Sequence, residues 1–258
     1  MGTRKIIWRL CYEALAARVR IPEWSFMNYG YAPLAPGPDP VVLDPEDEVD
    51  RLSIQLYEHT VAGADLRGAD VLEVGSGRGG GASYLSRYHR PASMTGLDFS
   101  HSAVALCSRT RTAPGLSFVH GDALAIPFPD GTFDAVVNVE SSHCYESMPT
   151  FLAEVHRVLR PGGSLLWADI RDQERVRDVR RDFAQSPLAV HRETDITGEV
   201  LHALQLDNER KLGLVDAWIP WGFRRALRQW AGIEGTTNFT RLETGEMRYL
   251  SAHLVKAA

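Results

Sequence analysis

Short aliphatic runs alternate with amphipathic stretches along the chain from residue 69 onward. Runs with the length of buried strands lie at 70–74, 93–98, 116–119, 133–139 and 164–169. Apolar residues at helical spacing fall between them, near 80–89, 101–111 and 147–159. Short strands that alternate with helices predict a parallel sheet covered on both faces. In such a sheet, ligands bind beyond the carboxyl ends of the strands.

The regions that flank this alternation have other patterns. Residues 31–48 are rich in proline and predict an extended connection after an N-terminal amphipathic helix. Asp44, Pro45 and Asp47 then have the order of a helix N-cap with proline at the first helical position, in a helix that runs to about Thr60. We therefore divide the chain into an N-terminal helix and lid (1–44) and one catalytic domain (45–258).

Two patterns near the C-terminus complete the prediction. Residues 171–231 predict several helices rich in arginine and aromatic residues, which we interpret as a helical cap over the substrate. Their tryptophans either line an acceptor pocket or pack helices onto the core. Two β-prone runs on either side of Thr244 and Gly245 predict a terminal hairpin.

Composition narrows the classes of partner. The 258 residues include 28 basic and 33 acidic side chains, so a net charge of −5 predicts no nucleic-acid partner. Cys11, Cys107 and Cys144 are widely spaced, which favours a reduced, cytoplasmic protein, and we predict no metal site. No apolar run reaches the roughly 18 residues of a membrane span, although the basic N-terminal helix would suit a membrane surface.

The segment VLEVGSGRGGG (71–81) carries the strongest local signal. Gly75, Gly77 and Gly80 satisfy the pattern G-x-G-x-x-G, in which the backbone approaches a ligand and helix N–H groups point at it. The pattern suits a dinucleotide or S-adenosyl-L-methionine. Glu73 discriminates between them, because an acid beside the turn would repel a diphosphate and attract the ammonium group of S-adenosylmethionine. We therefore predict S-adenosylmethionine, with Ser76 and Gly79 also in the binding loop.

Further candidate cofactor contacts follow later strands. Asp98 closes the second strand, with Phe99 next to it, and its carboxylate can accept from the ribose hydroxyls of either cofactor. Asp122 could accept from the adenine amine while Ala123 supplies a backbone donor; the alternative for Asp122 is a turn cap. The backbone at Glu140 is expected to touch the cofactor as well.

Four blocks in this order, LEVGSGRGG, GLD, GDA-x-x-x-PF-x-DG-x-FD and RVLRPGG, resemble the class I S-adenosylmethionine-dependent methyltransferases over about residues 45–258. The resemblance implies an α/β, Rossmann-like seven-stranded sheet with an antiparallel last strand. It also implies an N-terminal helical lid and a helical insertion before the final hairpin.

A closer resemblance rests on WSFMNYGYA, GGGASYLSR, NVESSHCY, FLAEVHRVLRPGG and ADIR. These segments are similar to the actinobacterial phthiotriolone and phenolphthiotriolone dimycocerosates methyltransferases, which methylate a hydroxyl on a long lipid. Natural-product sugar and polyketide O-methyltransferases share much of the pattern. Tyr29 and Tyr31 stand where related enzymes fold an aromatic-Gly-Tyr segment over the cofactor, and a tyrosine ring there could make a cation–π contact with the sulfonium.

Methylation of a hydroxyl needs a base. Of nine histidines, His143 follows the predicted strand 134–140, and Asp169 ends the next one. The carboxylate could orient the imidazole and stabilise its cation. In the resembling sugar O-methyltransferases, matching positions carry the base role.

The sequence thus predicts an O-methyltransferase for a lipophilic, hydroxylated small molecule or lipid. The alternatives are a carbon or nitrogen methyltransferase of the quinone or sterol type, or a cyclase that holds the cofactor without consuming it. The oligomeric state stays open, with a homodimer as one alternative.

Overall fold

The computed structural model describes residues 24–35 and 41–258, and within these ranges seven strands form a single sheet flanked by helices. The strands are β1 Asp70–Val74, β2 Ser93–Asp98, β3 Leu116–His120, β4 Phe133–Val139, β5 Leu159–Asp172, β6 Leu188–Asp195 and β7 Met247–Lys256. The α-helices are α1 Arg51–Val61, α2 Gly80–His89, α3 His101–Thr110, α4 Met148–Val158, α5 Val176–Gln185, α6 Thr197–Leu206, α7 Asn208–Trp218, α8 Trp221–Trp230 and α9 Thr237–Glu243. The predicted N-terminal amphipathic helix lies outside the described residues.

The strand order is β3-β2-β1-β4-β5-β7-β6. Strands β1 to β5 pair in parallel, whereas β7 runs antiparallel to both β5 and β6. This confirms the predicted Rossmann-like sheet with an antiparallel last strand. The chain moves outward from β1 to β3 and then returns to the other side of β1 with β4. A crevice therefore opens at the carboxyl ends of β1 and β4, where such sheets bind ligands.

Two apolar layers hold the helices on the sheet. On one face, α1, α2, α6 and α9 pack around fully buried side chains such as Ile54 and Tyr84. On the other face, α4 and α5 pack around Phe151, Trp167 and Phe183. Because both faces are covered, the polar groups of the central strands cluster at the strand ends.

The terminal hairpin predicted around Thr244 and Gly245 is wrong. The first of the two runs forms α9, in which Phe239 and Leu242 are buried at a helical spacing of three. Strand β7 pairs instead with β6, and four helices separate the two strands in the chain. The sequence LAVHRETD did not signal β6, because an edge strand with only its first residue buried carries little apolar periodicity.

The structure also shortens the range of residues that can form the helical cap predicted over 171–231. Strand β5 extends to Asp172, α5 covers the sheet and β6 belongs to it. Only α7 and α8 stand off the sheet, around the small apolar cluster of Val215, Ile219 and Ile233. We therefore use the name helical cap for residues 208–230 alone, and its position over a substrate stays a prediction.

The helix expected to begin at Pro45 begins later, at Arg51, after a 3-10 turn, and ends at Val61 as predicted. Asp44, the predicted N-cap, lies seven residues before Arg51 and does not cap this helix, and Asp50, which directly precedes it, makes no side-chain capping hydrogen bond. The carboxylate of Asp47 accepts from both terminal nitrogens of Arg87 at 2.7 Å and from the Tyr88 hydroxyl at 2.7 Å.

Candidate active site

The glycine loop packs closely against other elements. A Cβ on Gly75 would lie 2.1 Å from the Ser141 hydroxyl, and one on Gly80 would lie 2.5 Å from the Ser25 carbonyl. At Gly81 it would meet the Tyr57 ring at 2.1 Å. These glycines therefore allow β4, the segment 24–32 and α1 to approach the loop, a packing role that the sequence pattern alone does not reveal.

The loop is also tied to the end of β2. Gly77 has a φ of 53° and its N–H donates to Oδ2 of Asp98 at 2.8 Å. The other carboxylate oxygen accepts from the Ser100 N–H at 2.9 Å. Asp98 is 4% exposed, so the predicted ribose ligand is also the anchor that holds the loop in shape.

Glu73 lies under the loop rather than in it. Its side chain is 1% exposed, and the Tyr57 hydroxyl donates to Oε1 at 2.6 Å. Burial raises the pKa of Glu73 to about 8, so the carboxyl is mostly protonated at neutral pH. A neutral, buried acid would neither repel diphosphate nor attract ammonium, so selection of the cofactor by the charge of Glu73 stays a prediction that the burial of this side chain argues against. A contact between Glu73 and the cofactor stays a prediction.

The other predicted cofactor residues follow the carboxyl ends of β1, β2 and β3. The Ser76 hydroxyl is buried and has no hydrogen-bond partner among the described residues. Phe99 is partly buried beside Asp98, and Ala123 is 7% exposed. Asp122 is exposed, and its Oδ1 accepts from the Leu124 N–H at 2.9 Å, as a turn cap does. The turn-cap alternative for Asp122 is thus present in the structure, and its adenine contact stays a prediction.

Glu140 is the junction between the sheet and the segment 24–32. Its φ of 46° is positive, a conformation that L residues rarely adopt and that clusters at functional sites. Oε1 accepts from the Tyr29 N–H at 2.6 Å and from the Tyr249 hydroxyl at 2.9 Å. Burial raises the pKa of Glu140 to about 7. One carboxyl group thereby links the end of β4 to β7 and to the predicted lid.

The two predicted lid tyrosines, Tyr29 and Tyr31, contact different parts of the protein. Tyr29 is 8% exposed, its hydroxyl accepts from the Asn238 side-chain amide of α9 at 3.2 Å, and Nζ of Lys211 in the helical cap lies 5.9 Å from its ring centroid. Tyr31 stacks on His59 of α1, with ring centroids 4.6 Å apart. The backbone of Tyr29 reaches the site through Glu140, whereas the Tyr31 ring faces α1. The cation–π contact proposed for them stays a prediction.

His143 and Asp169 are brought together as expected. Nδ1 of His143 lies 2.7 Å from Oδ1 of Asp169, and the His143 backbone N–H donates to Oδ2 at 2.8 Å. The Asp169 side chain is fully buried, while that of His143 is 37% exposed at the crevice. His120 also ends a strand, β3, but its Nε2 bonds to the Phe99 carbonyl and its ring stacks on His101.

In this pair, burial and the neighbouring charges shift the pKa of each side chain in opposite directions. Burial alone would lower the pKa of His143, but the charge and hydrogen bond of Asp169 outweigh it and leave the pKa well above 6.5. Burial would raise the pKa of Asp169, but Arg171 and His143 outweigh it and hold the pKa well below its usual range. The acid therefore stays ionised, and the imidazole is the group that gains and loses the proton.

Arg171 is a site residue that sequence reasoning missed. It is 7% exposed, and its Nη1 lies 2.9 Å from Oδ2 of Asp169. Its Nη2 donates to the Ser142 hydroxyl at 2.7 Å, which in turn donates to Oδ2 at 2.6 Å. Trp167 Nε1 donates to the same hydroxyl at 2.8 Å, beneath the guanidinium. The signal lay in the spacing: in ADIR, side chains two apart on a strand share a face, so Arg171 had to accompany Asp169.

A cavity lies between the segment 24–32 and the helical cap. Its lining is mainly apolar and includes Trp24, Leu214, Leu227 and Trp230. Lys211 lines it too, with Nζ 3.4 Å from the Tyr29 carbonyl. Tyr29, which lines the cavity, is also the residue whose N–H donates to Glu140 after β4.

The family described as Methyltransferase domain matches residues 72–167. The phthiotriol/phenolphthiotriol dimycocerosates methyltransferase of Mycobacterium leprae (strain TN) is 42% identical over 245 residues, which are 95% of this chain and 90% of the relative. The chain belongs to the class I methyltransferase family. It is an enzyme of the methyltransferase class, and its cofactor is S-adenosylmethionine.

Two further comparisons extend this result. The fatty-acid O-methyltransferase of Mycolicibacterium smegmatis (strain ATCC 700084 / mc(2)155) is 43% identical over 222 residues, 86% of this methyltransferase and 79% of the relative. The geranyl diphosphate C-methyltransferase of Streptomyces coelicolor A3(2), crystallised with Mg2+, geranyl diphosphate and S-adenosyl-L-homocysteine, has the same fold. Its TM-score is 0.68 at 18% identity, over 95% of this chain and 98% of that one.

The residues of this methyltransferase fit the cofactor chemically. S-adenosylmethionine carries hydroxyls, an amine, a carboxylate and a sulfonium. The crevice offers a carboxyl at the end of β2 (Asp98), one directly after β4 (Glu140) and the unpartnered Ser76 hydroxyl. We expect Asp98 and the loop to hold the cofactor at one end and Glu140 to lie near its methionine part.

Proposed function

We propose that this methyltransferase transfers a methyl group to a hydroxyl oxygen of a lipophilic acceptor, with His143 as the general base. The observation that carries the proposal is the 2.7 Å contact between His143 Nδ1 and Asp169 Oδ1. With Nδ1 held by the carboxylate, Nε2 is the nitrogen that can take a proton. A hydroxyl nucleophile has a proton to lose, so a histidine oriented in this way suits it.

The residues divide the work of the reaction. When bound, the cofactor supplies an electrophilic methyl group. His143 Nε2 would accept the proton that the acceptor hydroxyl loses, and Asp169 stays ionised and stabilises the imidazolium. Arg171 and Ser142 keep the carboxylate from rotating away from the ring. Segment 24–32, linked to Glu140, covers the crevice and excludes water.

The cavity and the names of the relatives both support a lipophilic acceptor. Its tryptophan and leucine side chains suit a hydrocarbon part of an acceptor, and its volume of about 60 Å³ holds only a small part of such a chain. Two relatives above 40% identity have names that refer to lipids. A fatty-acid carboxylate has no proton to remove at neutral pH, so His143 favours a hydroxyl over a carboxylate as the oxygen that is methylated.

The test compares two acceptors of equal chain length, a long-chain secondary alcohol and the corresponding fatty acid. We expect a methyl ether, with one S-adenosylhomocysteine released per product. His143→Ala should lower turnover of the alcohol by about 10²–10⁴-fold while leaving cofactor affinity nearly intact. His191→Ala, which removes an exposed histidine on β6, is the control and should keep full turnover.

Three results would contradict the proposal. Turnover of the alcohol by His143→Ala at the wild-type rate would remove the base. Methylation of the fatty acid alone would move the function to carboxyl methylation. A rearranged product formed with the cofactor unspent would indicate a cyclase.

A further inference from the structure

The corner between α7 and α8 exposes an unusual cluster of aromatic side chains. Of the eight large hydrophobic side chains that are exposed in the described ranges, the three aromatic ones fall within six residues. Trp218 is 53% exposed, Trp221 87% and Phe223 70%. We name residues 218–223, which read WIPWGF, the aromatic corner. Exposed apolar patches of this kind mark interaction sites.

Arginines surround the aromatic corner on α8. Arg224, Arg225 and Arg228 line a shallow groove together with Trp221, on the outer side of that helix. Arg224 and Arg228 pair with Asp216, at 3.7 and 2.6 Å, so one acid offsets three guanidinium groups. This local positive charge contrasts with the net charge of −5 of the whole chain. The partner that fits is therefore apolar at its surface layer and negatively charged.

The inner side of the same two helices lines the cavity described above. Leu214 and Val215 of α7 and Leu227 and Trp230 of α8 face it, and Ile219 of the aromatic corner reaches it as well. The aromatic corner thus lies on the outer surface of the wall that encloses the cavity. A partner docked there would lie beside the cavity rather than on a remote face.

We propose that the aromatic corner and the arginines of α8 bind the surface of an anionic lipid bilayer. Tryptophan and phenylalanine rings settle at the boundary between headgroups and acyl chains, and arginines bind lipid phosphates. The aromatic rings and the arginines lie together on one exposed corner. Because this corner is part of the cavity wall, a membrane bound there would lie next to the cavity. This binding is a property separate from methyl transfer and does not depend on which atom is methylated.

The experiment measures partition of the full chain onto phosphatidylcholine vesicles with and without an anionic fraction of phosphatidylglycerol. We expect binding to the anionic vesicles, weakened in high salt because screening acts on the arginines. The double variant Trp221→Ser, Phe223→Ser should lose at least tenfold in partition. Leu206→Ser, which replaces another exposed large hydrophobic side chain (61% exposed), is the matched control and should bind like wild type.

A charge reversal keeps the test decisive if the aromatic variant folds poorly. Arg225→Glu should weaken binding to anionic vesicles while leaving the melting temperature unchanged, since this side chain lies on the outer groove. The proposal is overturned if the wild-type chain binds neither kind of vesicle. It is also overturned if both the aromatic variant and Arg225→Glu bind undiminished, because another part of the chain then carries the binding. Conversion of a dimer to a monomer by the aromatic variant, without vesicle binding by wild type, would assign the corner to a second copy.

Discussion

Nδ1 of His143 and Oδ1 of Asp169 lie 2.7 Å apart, across the carboxyl ends of two neighbouring parallel strands. The carboxylate is fully buried, and the imidazole is partly open to the crevice. This arrangement fixes the tautomer of the histidine and sets its affinity for a proton. The chemistry of the site is therefore sensitive to pH in a direction that the two charges determine.

Turnover should rise with pH. A base must be neutral to accept a proton, and Asp169 holds the pKa of His143 well above 6.5 against the effect of burial. The ascending limb of the single-turnover pH profile should therefore be centred above pH 6.5. Asp169→Asn removes the charge that raises this pKa, so the limb should move to lower pH while the plateau falls by about 10²–10⁴-fold. A wild-type limb centred below pH 6.5 would contradict the assignment.

Loss of Arg171 should shift the ascending limb of the pH profile to higher pH, opposite to the effect of Asp169→Asn. Its guanidinium neutralises part of the Asp169 charge at 2.9 Å, so in Arg171→Met the carboxylate acts on His143 uncompensated. The limb should move to more alkaline pH, and stability should fall by about 3–5 kcal/mol because a buried charge loses its partner. Arg171→Lys restores the charge without the fork, and its limb should return towards the wild-type position. A purely structural role would lower the melting temperature and leave the limb unmoved.

Asp98 should control cofactor affinity in two ways. Asp98→Ala removes the predicted ribose acceptor and also frees the Gly77 N–H that fixes the loop. We expect at least a tenfold loss of affinity, since hydrogen bonds to a charged group contribute about 1.5–3 kcal/mol. Asp98→Asn keeps one carbonyl acceptor and should lose less. Calorimetric titration with S-adenosylhomocysteine measures both, and an unchanged affinity for the alanine variant would refute the role.

Glu73 should make stability depend on pH. Burial raises its pKa in the folded chain from 4.5 to about 8, so the folded chain retains a proton that the unfolded chain has released. The free energy of unfolding should fall as pH rises through this window. Glu73→Gln removes the titrating group, keeps an acceptor for Tyr57 and should flatten that slope between about pH 5 and 8.

The same variant tests the cofactor argument. Because Glu73 is buried and mostly neutral, Glu73→Gln should change cofactor affinity little. A large loss of affinity at neutral pH would instead restore the electrostatic interpretation made from the sequence. Urea unfolding across the pH range, together with calorimetry at pH 7, separates the two readings.

The sequence by itself determined the alternating parallel core. The strands and helices from β1 to β5 follow from local periodicity, and the elements lie within a few residues of their predicted positions except for β5, which is longer at both ends. The order of the strands then placed His143 and Asp169 side by side, because the carboxyl ends of adjacent parallel strands meet at one edge. Local patterns sufficed wherever neighbours in the sheet are also near in the chain.

Only the tertiary structure decided the rest. Strand β6 pairs with β7 across four helices, and its mostly exposed edge has no periodicity to read. Glu73 faces Tyr57 of a helix before it in the chain, and burial there raises its pKa to about 8. The role of Arg171 as a partner of Asp169 depends on Ser142 and Trp167, which pack around the carboxylate only in the folded structure. Spacing along the chain predicts which way a side chain points, but its charge state depends on the groups that distant segments place around it.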